Sequence, residues 1–296
     1  MLRFMTLTSR GILIYLLLVL ALSSGPWALA IHAGHLAIGG GAVVGALMWM
    51  PALAAWFTCR ILGIEFASLG WRWRPIRYEA IAYVLPILYA APVYIACWLL
   101  IPNSCVFSGF ATSMGSSFGF PASPRTVTFL LALPIYATYG AIRSLSTALG
   151  EEIGWRGFLL PRLTQRFGVG IGALISGCIW ATWHYPLLLG ADYNSGTPKV
   201  FGLACFTLMV IADAFILAWL RLRSRSLWPC AMLHATHNLF VQAVFDRMTT
   251  DTGKAPYLTT EFGFGMVITC AITAIILWRA AKPEPLSMEE TAVAAI

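Results

Sequence analysis

Residues 11–31 read GILIYLLLVLALSSGPWALAI, a stretch that contains no Asp, Glu, Lys or Arg. A helix needs about 20 mostly apolar residues to cross the hydrocarbon core of a bilayer. Comparable stretches recur along the chain, and we predict eight membrane spans. They lie at 11–31, 36–60, 79–101, 137–161, 170–190, 200–220, 227–246 and 262–281.

The composition is typical of a membrane protein. Of 296 residues, 59% are hydrophobic and 10% are Asp, Glu, Lys or Arg. Soluble domains typically carry about 25% charged residues, which cover their surface. Lipid removes that requirement because it solvates apolar side chains. We therefore predict an all-α, polytopic bundle that forms a single membrane domain over 1–296, with a short polar tail at 282–296.

The basic residues predict the orientation of the chain. In a soluble protein the net charge of +7 would suggest nucleic-acid binding. Here the basic residues cluster in short connections. If the N-terminus is cytoplasmic, thirteen of the 19 Lys and Arg residues lie inside and four outside, as the positive-inside rule expects. We predict that both termini are cytoplasmic, that lipid is the surrounding partner and that no nucleic acid binds.

The first 30 residues allow a second interpretation. A basic start, an apolar core and Ala28-Leu29-Ala30 imitate a cleavable signal peptide. The apolar stretch continues to Ile31, which is long for a signal peptide, so an uncleaved first span is favoured. Cleavage would leave the predicted orientation of the remaining chain unchanged.

Polar residues interrupt three of the predicted spans. Span four contains Glu151 and Glu152, span five contains His184, and span seven contains His234 and Asn238. Placing an ionisable group in hydrocarbon costs roughly 2.5–3.5 kcal/mol on insertion scales, so each is a candidate functional residue.

Helical spacing sorts the two glutamates. Glu152 and Arg156 are four residues apart, so they lie on one helical face and can form an ion pair. That pair alone would also be consistent with a purely structural role. Glu151 is rotated by about 100° from Glu152, so we expect it to face different neighbours.

Helical spacing also distinguishes the polar residues of span seven. His234 and Asn238 are also four residues apart and present an imidazole and an amide side by side. His237 is expected to point away from them and to be structural. In span six, Asp213 is a lone acid that could pair with Arg143 or contribute to a cavity.

The depths of these residues in the membrane are similar. At 1.5 Å per residue, His234 lies about 10 Å and Asn238 about 16 Å from the cytoplasmic end of span seven. If span four ends at Pro161, Glu151 lies about 15 Å from the same face, and His184 about 20 Å. The three helices can therefore meet near the middle of the membrane.

A carboxylate and two imidazoles around a cavity indicate hydrolytic chemistry. Together they can deprotonate a water molecule, and burial can adjust a carboxyl group for that purpose. Asn238 with an imidazole could donate hydrogen bonds to a developing oxyanion. The sequence contains no HExxH, and its single GxSxG match, at 115–119, lies in a Ser-, Gly- and Pro-rich stretch and not at a predicted strand-to-helix turn. Both observations disfavour HExxH metalloproteases and serine hydrolases.

Three motifs resemble those of a known family, the CPBP intramembrane proteases. The family includes the type II CAAX prenyl endopeptidases and bacterial bacteriocin-processing or immunity proteins. The motifs are Glu151-Glu152-x-x-x-Arg156, Trp180-x-x-x-His184 and His234-x-x-x-Asn238. The resemblance covers a motif-bearing core at 130–245, and its flanking residues are similar to those of bacterial members. It implies a multi-pass protein of the bacterial plasma membrane.

The resemblance also implies roles for the motif residues. Glu151 would activate the attacking water with help from His184, while His234 and Asn238 would stabilise the oxyanion. Glu152 and Arg156 would hold the site together. Trp180 stands where Phe is more usual in the second motif, which we expect the chemistry to tolerate.

A metal-dependent version of the site stays open. In it, Glu151, His184 and His234 would hold Zn²⁺, since two nitrogens and a carboxylate can bind that ion. We favour a metal-free mechanism because Asn238 is a poor zinc ligand.

The sequence thus predicts an intramembrane endopeptidase whose substrates are membrane-associated proteins or peptides. One alternative is a non-catalytic immunity or scaffold protein on the same fold. A proton-coupled transporter is a weaker alternative, because no inverted repeat is visible in the sequence. Neither the physiological substrate nor the oligomeric state follows from the sequence.

Overall fold

Helices account for the secondary structure of the described residues. The computed structural model describes residues 7–73, 76–108, 110–111, 125–194 and 196–286, and no strand occurs among them. The α-helices are α1 Leu7–Ala33, α2 Ala42–Leu62, α3 Ile76–Leu100, α4 Arg125–Glu152, α5 Leu160–Phe167, α6 Val169–Gly190, α7 Lys199–Ser224, α8 Trp228–His237 and α9 Phe264–Ala280. The predicted all-α class is confirmed.

Two π-helical segments extend these helices. Ile153–Leu159 joins α4 to α5, and Asn238–Phe245 continues α8. Four 3₁₀ segments complete the described secondary structure, at Ile38–Gly41, Phe66–Leu69, Asp246–Met248 and Ala255–Tyr257.

Each predicted span overlaps helical segments, but length and apolarity identify fewer than eight of them as crossings. Within the described part of the chain, four helices are long and apolar enough to cross a membrane. They are Thr8–Ala33, Ile38–Leu62, Ile76–Leu100 and Lys199–Ser224. The others contain polar motifs, are divided by π-helical segments or, like α9, are shorter. The chain is therefore a multi-pass membrane protein, and eight crossings stay a prediction.

The helix continues beyond the end predicted for span four. Pro161 lies in the first turn of α5, where its missing N–H costs little, and the chain stays helical to Phe167. Gly168 then reverses the chain into α6 with φ 79° and ψ 164°, a conformation that glycine adopts readily. The stretch 102–125 interrupts the apolar segments and is rich in Ser, Gly and Pro, which predicts an external loop; it lies largely outside the described residues.

Helix packing leaves α8 near the centre of the bundle. It packs against α3, α4 and α7, while α7 also packs against α6 and α9. Helices α2 and α4 approach closely at Gly150, where an added Cβ would lie 2.6 Å from the carbonyl oxygen of Met48. This packing brings the motif-bearing segments of α4, α6 and α8 together.

Candidate active site

A cavity of about 160 Å³ lies among the helices that carry the three motifs. Four predicted site residues line it: Glu151, His184, His234 and Asn238. They come from three separate segments of the chain. Glu152 and Arg156 are fully buried behind this lining. The structure thus separates the two neighbouring glutamates, as the 100° rotation between them predicts.

Glu151 is held by two indole groups. Trp180 Nε1 donates to Glu151 Oε2 at 2.7 Å, and Trp155 Nε1 donates to the same oxygen at 3.3 Å. The carboxylate is 2% exposed, so these bonds replace hydration that burial removes. The indole bonds therefore set the direction in which Glu151 faces the cavity.

Trp180 contacts all three motifs. Besides its bond to Glu151, its ring lies edge-on to His184 and His234, with centroid distances of 5.9 and 5.4 Å. Its other contact is with the Arg156 guanidinium, 4.0 Å from the ring centroid. A phenylalanine at this position could keep the ring contacts but would have no N–H for Glu151.

Glu152 joins the first motif to the third. Its Oε1 accepts from Arg156 Nη1 and from His234 Nδ1, each at 2.8 Å. The Glu152–Arg156 ion pair predicted from the spacing is therefore present. Because Arg156 is fully buried, this carboxylate compensates a charge that would otherwise be isolated.

Hydrogen bonds define how the two motif histidines present their rings. His184 Nδ1 lies 2.8 Å from the Trp180 carbonyl oxygen, and a carbonyl can only accept, so Nδ1 carries the proton. His234 Nδ1 likewise donates to Glu152 Oε1. In both residues the Nε2 atom is left for a ligand or water in the cavity. This arrangement is typical of histidines oriented for catalysis.

The first and the third motif each adjoin a π-helical turn. The first such turn begins directly after Glu152 and contains Arg156, and the second begins at Asn238. Single π turns often occur at functional sites because they rotate the following residues relative to a regular α-helix. Here Glu151 and His234 precede the turns, whereas Arg156 lies within the first turn and Asn238 begins the second.

A second polar cluster in the cavity was not predicted. Tyr89 Oη donates to His237 Nδ1 at 2.6 Å, and His237 Nε2 donates to Glu261 Oε1 at 3.0 Å. Tyr193 Oη donates to Glu261 Oε2, also at 3.0 Å. His237 lines the cavity together with His234, but its hydrogen-bond partners differ from the Glu152 partner of His234.

Glu261 and Asp213 also line the cavity. Glu261 lies in the turn before α9, far from any motif, and no sequence signal marked it. The pairing of Asp213 with Arg143 is not found among the described residues. Arg143 is exposed on α4, whereas Asp213 is 3% exposed within the bundle.

The geometry gives no support to a zinc site. Among the described residues, no three His, Cys, Asp or Glu side chains are grouped so that they could hold a metal ion. Glu151, His184 and His234 line one cavity but do not converge on a common point in that way.

Comparison with known proteins agrees with the motif positions. Residues 128–240 match the family model "Type II CAAX prenyl endopeptidase Rce1-like". This segment, called the Rce1-like segment below, is similar to that family. It contains every predicted motif residue, from Glu151 to Asn238, and the family resemblance inferred from the motifs is confirmed.

One curated relative of the Rce1-like segment is CAAX prenyl protease 2 of Methanococcus maripaludis. It is 26% identical over 145 residues, which are 48% of this chain and 48% of the relative. The chain thus matches about half the length of that protein. The Rce1-like segment includes α6, α7 and α8, whereas Glu261 lies beyond it.

Proposed function

We propose that this protein is an endopeptidase that hydrolyses peptide bonds of membrane-associated proteins or peptides inside the bilayer. The observation that carries the proposal is the shared cavity: Glu151, His184, His234 and Asn238 line it although they come from three segments. The Rce1-like match, and the printed name of the curated relative, support the same class of reaction.

In the proposed reaction, Glu151 acts as the general base. Its carboxylate removes a proton from water while the water oxygen attacks the carbonyl carbon of the peptide bond. His184 Nε2 accepts a hydrogen bond from that water, because Nδ1 is the protonated nitrogen. Glu151 then returns its proton to the departing amine, so that the carboxylate is regenerated and a new carboxyl terminus and amine are formed.

The oxyanion of the tetrahedral intermediate faces Asn238 and His234. The Asn238 amide supplies an N–H donor. His234 already donates through Nδ1 to Glu152, so Nε2 carries a proton when the ring is an imidazolium, which the Glu152 carboxylate stabilises. Donors placed in a dry site before reaction contribute strongly to catalysis because they need little reorganisation.

Peptide cleavage by purified protein in proteoliposomes tests the proposal. Glu151→Ala should abolish turnover because it removes the proposed base, and Glu151→Gln should do the same while keeping the side-chain shape. Glu65→Gln changes an exposed glutamate and serves as the control. Unchanged turnover in both Glu151 variants would exclude this mechanism.

The same variants address the non-catalytic alternative. An immunity or scaffold protein needs the fold but not the base. If Glu151→Gln protein retains its cellular phenotype while the purified wild-type protein cleaves no peptide, binding and not hydrolysis is the function.

We also propose the predicted orientation, with both termini and the connection after α5 in the cytoplasm. The structure supports its outer face: Thr250 N donates to Ser104 O at 2.8 Å and Val106 N to Met248 O at 2.9 Å, which joins two segments predicted to be outside. Cys105 is exposed there. A membrane-impermeant maleimide should label Cys105 in intact cells, with Cys105→Ser as the control; labelling only after lysis would reverse the orientation.

A further inference from the structure

One face of α7 forms a wall of the cavity. Phe206, Met209, Val210 and Asp213 all line it, and their spacing of three, four and seven residues places them on one helical face. Phe206 is next to the proposed catalytic group, since its ring centroid lies 5.3 Å from that of His184. Asp213 follows about 10 Å farther along the helix axis.

Asp213 is a buried carboxylate that lacks a full set of partners. It is 3% exposed, and its Oδ1 has no hydrogen-bond partner among the described residues. An unsatisfied buried carboxylate is costly, and an acidic group inside a membrane segment usually has a functional reason. Because Asp213 also lines the cavity, a ligand there can supply the missing partner.

The remaining charges of the cavity favour a cation. Glu151, Asp213 and Glu261 contribute carboxylates, whereas the described lining residues include neither Lys nor Arg. Glu261 already accepts bonds from His237 and Tyr193. Arg156 is paired with Glu152 behind the lining. Asp213 is therefore the carboxylate with capacity left for a ligand.

We propose that this wall is a specificity subsite for a long cationic side chain, Lys or Arg, next to the bond that is cleaved. The apolar side chains of Phe206, Met209 and Val210 contact its methylene stem, and Asp213 binds its ammonium or guanidinium group. Lys and Arg combine an apolar stem with a charged end, which matches this order along α7. The inference rests on the proposed peptidase function and assigns it a substrate class.

The test uses peptides that differ at a single residue. Lys, Arg, Gln and norleucine are placed in turn at each position around the cleaved bond, and kcat/KM is measured in proteoliposomes. A charge-assisted bond in a buried site predicts a preference of at least about 10-fold for Lys or Arg over Gln and norleucine at one position. Asp213→Asn should reduce that ratio to within about 2-fold.

Two further variants complete the design. Asp251→Asn changes a carboxylate that accepts from Gly253 N in an exposed turn, and it should keep the preference. Met209→Lys places a tethered cation four residues before Asp213, on the same helical face, and should occupy the subsite. It removes the preference even if Asp213→Asn does not fold.

Several results would overturn the inference. One is equal cleavage of the Lys, Gln and norleucine peptides at every position, which leaves the peptidase proposal intact. Another is a preference that survives Asp213→Asn and Met209→Lys. If wild-type protein cleaves no peptide, the peptidase proposal fails separately. Binding of the same peptides to Glu151→Gln protein then decides the subsite, and equal affinity for the Lys and Gln peptides rejects it.

Discussion

Replacement of Trp180 by Phe isolates one hydrogen bond at the centre of the site. The change keeps an aromatic ring beside Arg156, His184 and His234 but removes the N–H that donates to Glu151 at 2.7 Å. Both partners are buried, with Trp180 5% and Glu151 2% exposed. The variant also carries the residue more usual in the resembled family, so its activity measures what this chain gains from tryptophan.

The expected effect follows from the chemistry of the lost bond. A hydrogen bond to a charged group contributes about 1.5–3 kcal/mol, and about 1.4 kcal/mol corresponds to a tenfold change in rate. The remaining donor, Trp155 Nε1, is 3.3 Å from the same oxygen and can compensate only in part. We expect Trp180→Phe to lower kcat by about 10-fold to 100-fold, with KM changed little because the base acts in the chemical step.

The assay is peptide cleavage by protein in proteoliposomes, with kcat and KM separated. Trp219→Phe is the matched control: this buried indole donates to the Ala281 carbonyl oxygen at 2.8 Å and does not line the cavity. A purely structural role for Trp180 predicts similar losses in the two variants. Wild-type kcat in Trp180→Phe would refute the assignment of Trp180 as a positioning residue.

Three further predictions concern the buried charges, the packing and the metal. Glu152→Ala should lower the free energy of unfolding by about 3–5 kcal/mol, because Arg156 loses its carboxylate partner. Adding Arg156→Met should restore most of the lost stability in thermal unfolding, and a double variant without recovery would contradict this explanation. Gly150→Ala should cost about 1–3 kcal/mol through the close approach to Met48, whereas Gly170→Ala, with nothing within 4 Å of the added Cβ, should be neutral. A zinc chelator should leave peptide cleavage intact, and loss of activity that Zn²⁺ restores would reject the metal-free mechanism.

Local spacing predicted those features of the site that depend on a single helix. The Glu152–Arg156 pair follows from four-residue spacing, and the separate environments of Glu151 and Glu152 follow from the rotation per residue. The helical segments were likewise predictable from apolar stretches, since a bilayer demands long runs of apolar side chains.

Features that join distant segments were not predictable in this way. Trp180 and Glu151 form a hydrogen bond between two different helices. Glu261, which binds His237, lies in a turn that contains no motif. The position of His237 was predicted relative to His234 and Asn238 alone, and its place in the cavity lining depends on the packing of several helices. The helix that contains Pro161 follows directly on a π-helical segment, which hydropathy does not reveal.

The two π turns have a consequence for how this chain can change by insertion and deletion. A π turn contains one residue more than the α-helical turn it replaces. Removing one residue from Ile153–Leu159 would restore a regular helix and improve its hydrogen bonding, but it would rotate Arg156 or α5 by about 100° relative to Glu152. A deletion in Asn238–Phe245 would similarly turn the end of that helix away from the cavity. In these two segments the backbone can therefore be regular or the site can be complete, but not both. An added or lost residue is harder to accommodate there than a substitution.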